Sequence, residues 1–206
     1  MDGTLVDSMG YWDEVCGEYL RQIGLYTEEI FDKLKPMTLP QTAAYLDSEF
    51  GISVSQEDII QDMGRIMLDH YRNDVQAKPG IHAYLDALQK KGVRMCVVSS
   101  SPDALVKACL EQHDLLRYFE FLISAEEVGK GKTEPDIYYE AAKRLGASPE
   151  TTMVFEDAMI AGLTAKRAGF LTTAIFDDNS VEQWDDFRVQ TDCAFKTWND
   201  ALQAFT

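Results

Sequence analysis

From residue 78 to residue 177 the chain alternates apolar runs with helical stretches, and no other feature limits its fold as strongly. "KPGIHAYLDALQKKG" carries Ile81, Tyr84, Leu85 and Leu88 on one helical face and stops at Gly92. "VRMCVVSSS" reads as a buried strand ending in hydroxyl residues, "PDALVKACLEQHDLL" as a helix, and "FEFLIS" as a second strand. "EPDIYYEAAKRLG" is a helix, "TMVFED" a third strand, "AMIAGLTAKRAG" a helix, and "TTAIFD" a fourth strand. Strands separated by helices with short connections build a doubly wound parallel sheet, an α/β fold. Ligands of such sheets sit outside the carboxyl ends of the strands, which here read Ser99-Ser100-Ser101, Glu156-Asp157 and Asp177-Asp178.

Residues 8–73 read differently. Trp12, Val15, Tyr19 and Ile23 recur at helical spacing, as do Ile59, Met63, Ile66 and His70, with Tyr45 and Leu46 on a helix between them. Pro36, Pro40 and Gly51 cut this stretch into short helices, and no strand is predicted in it. The expected organisation is an α/β core of residues 1–8 and 74–206 with a small all-helical insert at 9–73.

Charge narrows the partners. A formal net charge of −16 leaves no basic face for nucleic acid, and an acidic chain handling an anionic substrate needs a local cation. The four cysteines are scattered with no Cys-x-x-Cys pair, which fits core residues in a reducing compartment. With no leader pattern and no apolar run of membrane-spanning length, a cytoplasmic protein without membrane contact is expected, as a monomer or weak dimer.

Four short segments could carry chemistry. Glu156-Asp157 closes a buried strand, where adjacent carboxylates are costly unless a cation neutralises them, and their oxygens suit Mg²⁺; Asp157 could equally be a helix N-cap. Ser99 and Ser100 precede a helix and could bind an anion, or only cap it. Lys130 and Lys132 lie in "GKGKTEPDIYY", where a lysine could balance phosphate or stay a surface charge. "DGTLVDS" puts the Asp2 carboxylate on a tight turn that Gly3 makes accessible.

In this order, the four segments resemble the haloacid dehalogenase superfamily, in the branch with a helical cap inserted after the first motif that includes phosphoglycolate-phosphatase-like enzymes and β-phosphoglucomutase. The resemblance implies a Mg²⁺-dependent hydrolase of a small phosphorylated metabolite, acting through an aspartyl phosphate. It implies that Asp2 is the acid/base and offers its backbone carbonyl to the metal, with Asp157 and Glu156 completing the metal site. It implies that Ser99, with Ser100, and Lys132 bind the phosphoryl group, and that the cap selects the substrate and closes over the core. The mutases of this branch carry a His five residues after the Asp aligned with Asp7; this chain has Trp12, which favours hydrolysis.

The family's attacking Asp stands two residues before the position of Asp2, on a central strand, and the sequence shows neither. Three readings compete: a recorded start at an internal Met of a longer phosphatase, which is the expectation; a non-catalytic relative that binds phosphorylated ligands or a partner; or a plain α/β domain. On any of them the 206 residues are expected to turn over little or nothing, with unpaired strand edges flanking the missing strand.

Overall fold

A computed structural model describes residues 1–34, 37, 39–52 and 54–205. They fall into two compact units, one made of Met1–Asp7 with the chain from Gln76 onward, the other of Ser8–Val75.

The second unit is helical: α1 (Met9–Gln22), α2 (Glu28–Leu34), α3 (Leu39–Phe50) and α4 (Gln56–Asn73). Val15 and Tyr19 of α1 and Ile59, Met63 and Ile66 of α4 are buried, as their spacing predicts. The Ser55 hydroxyl caps α4 by accepting the Asp58 amide at 3.1 Å. Pro40 stands in the first turn of α3, where its missing N–H costs no helix bond, and Gly51 (φ +56°) follows the helix end; Pro36 lies outside the described residues. Trp12 is half-buried, and its indole N–H donates to the Tyr71 hydroxyl at 3.0 Å.

His70, on the helical face read from the sequence, is held by two carboxylates. Its ring nitrogens lie 2.7 Å from Asp74 Oδ2 and 2.8 Å from Glu18 Oε1. Burial disfavours the charged ring, but the hydrogen bonds to Asp74 and Glu18 outweigh it and raise the pKa above 6.5. Since the folded value is raised, this stabilisation is complete below about 6.5 and is lost as pH climbs through the folded pKa. The Tm of the protein is therefore expected to fall over that window, and His70→Gln to flatten the fall; an unchanged pH profile in the variant refutes it.

The first unit holds α5 (Ile81–Lys90), β1 (Val97–Ser99), α6 (Asp103–Gln112), β2 (Leu122–Ser124), α7 (Ala125–Val128), α8 (Asp136–Arg144), β3 (Met153–Glu156), α9 (Met159–Arg167), β4 (Leu171–Ile175), α10 (Trp184–Arg188), β5 (Cys193–Phe195) and α11 (Trp198–Phe205). Among the described residues the strands β1 to β5 pair in parallel, as strand–helix alternation requires. The sheet comes in two pieces, β1-β2 and β3-β4-β5. Each predicted strand is present, shortened to the residues that meet a partner: β1 starts at Val97, opposite Leu122.

Two features were not foreseen. Cys193–Phe195 adds a fifth strand beside β4, and the acidic stretch before it folds onto the core. It forms α10, whose Phe187 ring is buried against Gly162 so closely that a Cβ there would lie 2.5 Å from it. Among the described residues no helix is long and apolar enough to cross a membrane.

Candidate active site

The opening turn is built around one carbonyl. Met1 O accepts the amides of Thr4 at 3.1 Å and Leu5 at 2.7 Å, and Gly3 takes φ +65°, a conformation a side chain would strain. Tyr84, Phe155 and Trp198 stack beside this turn, and the Trp198 indole N–H donates to Thr4 O at 3.0 Å.

That turn touches both halves of the sheet. From the β1 side, the Ser101 hydroxyl donates to Asp2 Oδ2 at 2.9 Å, and Ser99 Oγ accepts the Ser101 amide at 3.1 Å. Ser99 is buried and Ser100 exposed; Pro102, not a serine, occupies the N-cap of α6. From the β3 side, the Thr4 hydroxyl donates to Asp157 Oδ1 at 2.7 Å. Asp157 does not cap α9, whose N-cap is Ala158, so the capping alternative falls. Burial and the neighbouring Glu156 charge push the Asp157 carboxyl up to about 6.

Lys132 and Glu156 form the second cluster. Lys132 Nζ lies 2.6 Å from Glu156 Oε1, with the side chains 14% and 5% exposed. The Tyr138 hydroxyl also sits on that oxygen, at 3.1 Å, and burial drives its pKa far above the usual tyrosine value. Lys130 instead pairs with Asp136 at the surface, at 2.8 Å.

The sequence did not point to Thr4, Ser101 or Tyr138 as partners, nor to Lys78, whose ammonium lies 2.6 Å from Asp7 Oδ1 and 3.0 Å from Asp177 Oδ2. Lys78 lies between α4 and α5, just after the chain re-enters the first unit at Gln76, and that position was its only signal.

Mg²⁺ can be tested against this donor set. Asp157 and Glu156 offer hard carboxylate oxygens and Asp2 a backbone carbonyl, and the raised Asp157 pKa marks a buried acid short of positive charge, so the chemistry fits. Among the described residues no group of three His, Cys, Asp or Glu side chains is gathered to hold an ion. Backbone carbonyls, water and the substrate's phosphate would have to supply the other oxygens.

The family model of haloacid dehalogenase-like hydrolases matches residues 1–175. The chain belongs to that family. Hexitol phosphatase A of Escherichia coli (strain K12) is 30% identical over 181 residues, covering 85% of this chain and 80% of that protein. A Bacillus subtilis (strain 168) relative is 34% identical over 125 residues, 61% of this chain and 56% of its own length, so this chain spans little more than half of it. CbbY from Rhodobacter sphaeroides, solved in complex with phosphate, superposes with a TM-score of 0.80 at 19% identity over 96% of this chain and 92% of that one, a likeness of fold. The architecture is thus the family's Rossmann-like α/β core with a helical cap, as the alternation and the ordered segments indicated.

Proposed function

We propose that this protein is a phosphatase of small organic or sugar phosphates, working at the carboxyl ends of β1 and β3. One observation carries the reading: Asp2, the Ser99–Ser101 turn, Lys132 and Glu156-Asp157 come from four separate segments yet are joined by direct or one-step hydrogen bonds within two clusters at one edge of the core. The Escherichia coli relative named for hexitol phosphate hydrolysis supports the substrate class.

In this reading Asp2 protonates the leaving oxygen and then activates water, with Ser101 fixing its carboxylate. Ser99, with Ser100 at the open rim, and Lys132 bind the phosphoryl oxygens, where positioning and charge supply most of the rate. The Asp2 carbonyl, Asp157 and Glu156 would hold Mg²⁺, which when bound neutralises charge on the transferring group. Residues 9–73 act as the substrate-selecting cap. The attacking carboxylate belongs two residues ahead of Asp2, a position these 206 residues do not contain. Trp12, tied to Tyr71, stands against the sugar-phosphate mutase alternative, which needs a histidine at that place.

The test uses the protein with an apolar strand ending in Asp placed directly before Met1. With Mg²⁺ it is expected to release phosphate from some member of a panel of hexose, hexitol, sugar-acid and glycolate phosphates. Asp2→Asn should lower kcat by about 10²–10⁴-fold. Phosphate ester binding with no hydrolysis on any panel member would replace the enzyme by a phospho-ligand-binding relative.

A further inference from the structure

A groove in the first unit opens at the carboxyl ends of β4 and β5, and none of its residues takes part in the phosphatase scheme. Its volume is about 540 Å³, enough for a small molecule of one or two rings. Phe176, just after β4, and Trp184, at the start of α10, meet in it with 5.3 Å between ring centroids and 88° between ring planes. Two rings at right angles form a corner, in which a flat guest stacks on one ring and meets the other edge to face. Val181, 56% exposed, and Ala194 of β5 add aliphatic surface. Two cations complete the lining. Lys196, just after β5, sets its ammonium 5.6 Å from the Phe176 ring centroid, and among the described residues no carboxylate pairs with it. Arg188 of α10 gives its Nε to Asp185 Oδ1 at 2.8 Å, and that carboxylate is 84% exposed. Among the described residues nothing engages the two terminal nitrogens of Arg188. One carboxylate thus stands against two cations, in a chain whose net charge is −16.

We infer that this groove binds a flat aromatic molecule carrying one anionic group, a carboxylate or a phosphate. The rings and the charges are independent arguments for the same guest. A flat ring covers the half-exposed faces of Phe176 and Trp184, and a saturated guest of equal size loses that stacking. An anion meets the free fork of Arg188, which suits either oxyanion, and the Lys196 ammonium, which acts as a point charge. A cationic guest meets like charges there, and a neutral one leaves both cations without a partner. The corner is also preformed. Phe176 O accepts Lys78 Nζ at 3.3 Å, and the next residue, Asp177, holds the same ammonium at 3.0 Å, so the ring rides on a fixed piece of chain. The groove lies over β4 and β5, whereas Glu156-Asp157 closes β3, so this is a second site along the end of the sheet where ligands of such folds gather. Nothing in the inference rests on the phosphatase reading.

The experiment titrates the 206-residue chain by calorimetry, without Mg²⁺, with naphthoate, naphthyl phosphate, the uncharged naphthylmethanol and the saturated cyclohexanecarboxylate. Saturable binding of naphthoate, of naphthyl phosphate or of both is expected, with a Kd of about 1 mM or tighter for a guest of this size. The anion that binds more tightly names the group. The alcohol and the saturated acid should each bind about fivefold more weakly or worse. In the double variant Lys196→Met with Arg188→Gln, naphthoate should fall to the level of the alcohol, while the alcohol itself is unchanged. Both side chains are exposed, so the variant is expected to fold, and an unaltered Tm checks it. Naphthyl phosphate binding that survives in the double variant while naphthoate binding is lost places the phosphate at the Asp2–Asp157 site and makes a carboxylate the guest of the groove. No saturable binding of either aromatic anion, equal binding of acid and alcohol, or naphthoate binding untouched by the double variant overturns the inference.

Discussion

The 206 residues alone are expected to release phosphate from sugar phosphates on the order of 10⁴-fold or more slowly than the same chain carrying a strand that ends in Asp directly before Met1. The groups present divide into those that position and those that move a proton. Ser99 and Lys132 can hold phosphoryl oxygens, and Asp2 can give or take a proton, but none of them is placed to attack phosphorus in the scheme the family uses. Two effects of adding a strand must be separated, since it would also close the sheet. A strand ending in Asn closes the sheet equally well and supplies no nucleophile. Initial rates at matched protein and Mg²⁺ concentration should therefore be high for the Asp-ended strand alone. Equal rates with the Asn-ended strand would place the nucleophile elsewhere, and equal rates with no added strand would show the site complete without it.

What the sequence revealed follows from how local each signal was. The core helices and four strands were legible because Ile81, Tyr84, Leu85 and Leu88, or "CVVS" and "MVFE", state their periodicity within a few residues. The fifth strand was not, because Cys193–Phe195 is three residues long and half-exposed, too short to show alternation. The site divides the same way. Type and order along the chain single out Asp2, Ser99, Lys132 and Glu156-Asp157 as the candidates of the proposed site. Their partners did not: Thr4 reaches Asp157 across 153 residues and Ser101 reaches Asp2 across 99, and Tyr138 sits on a helix face that periodicity assigns to the core. A hydroxyl that packs as a core residue and also donates to a buried carboxylate carries no separate mark in sequence. The Glu18 partner of His70 was hidden for a related reason, since it lies 52 residues away on another helix.

Replacing Lys132 with methionine is expected to cost about 3–5 kcal/mol of stability, because it strips the ammonium from a buried carboxylate. Glu156 is 5% exposed at the end of β3, and the Lys132 contact at 2.6 Å is its ion pair. The Tyr138 hydroxyl at 3.1 Å donates to the same oxygen but brings no net charge, and its proton is shared with the Ala161 carbonyl at 3.2 Å. The charge is therefore the larger loss, and a second substitution tests that. Glu156→Gln in the Lys132→Met background removes the stranded charge and should recover most of the stability, so the urea midpoints of the two singles and the double form a cycle with strong positive coupling. If Lys132→Met costs under about 1 kcal/mol, the carboxylate is compensated from elsewhere. The same pair bears on catalysis. In the proposed phosphatase, a lysine already seated on Glu156 is fixed before any phosphate arrives, so little side-chain entropy would remain to be lost on binding the phosphoryl group.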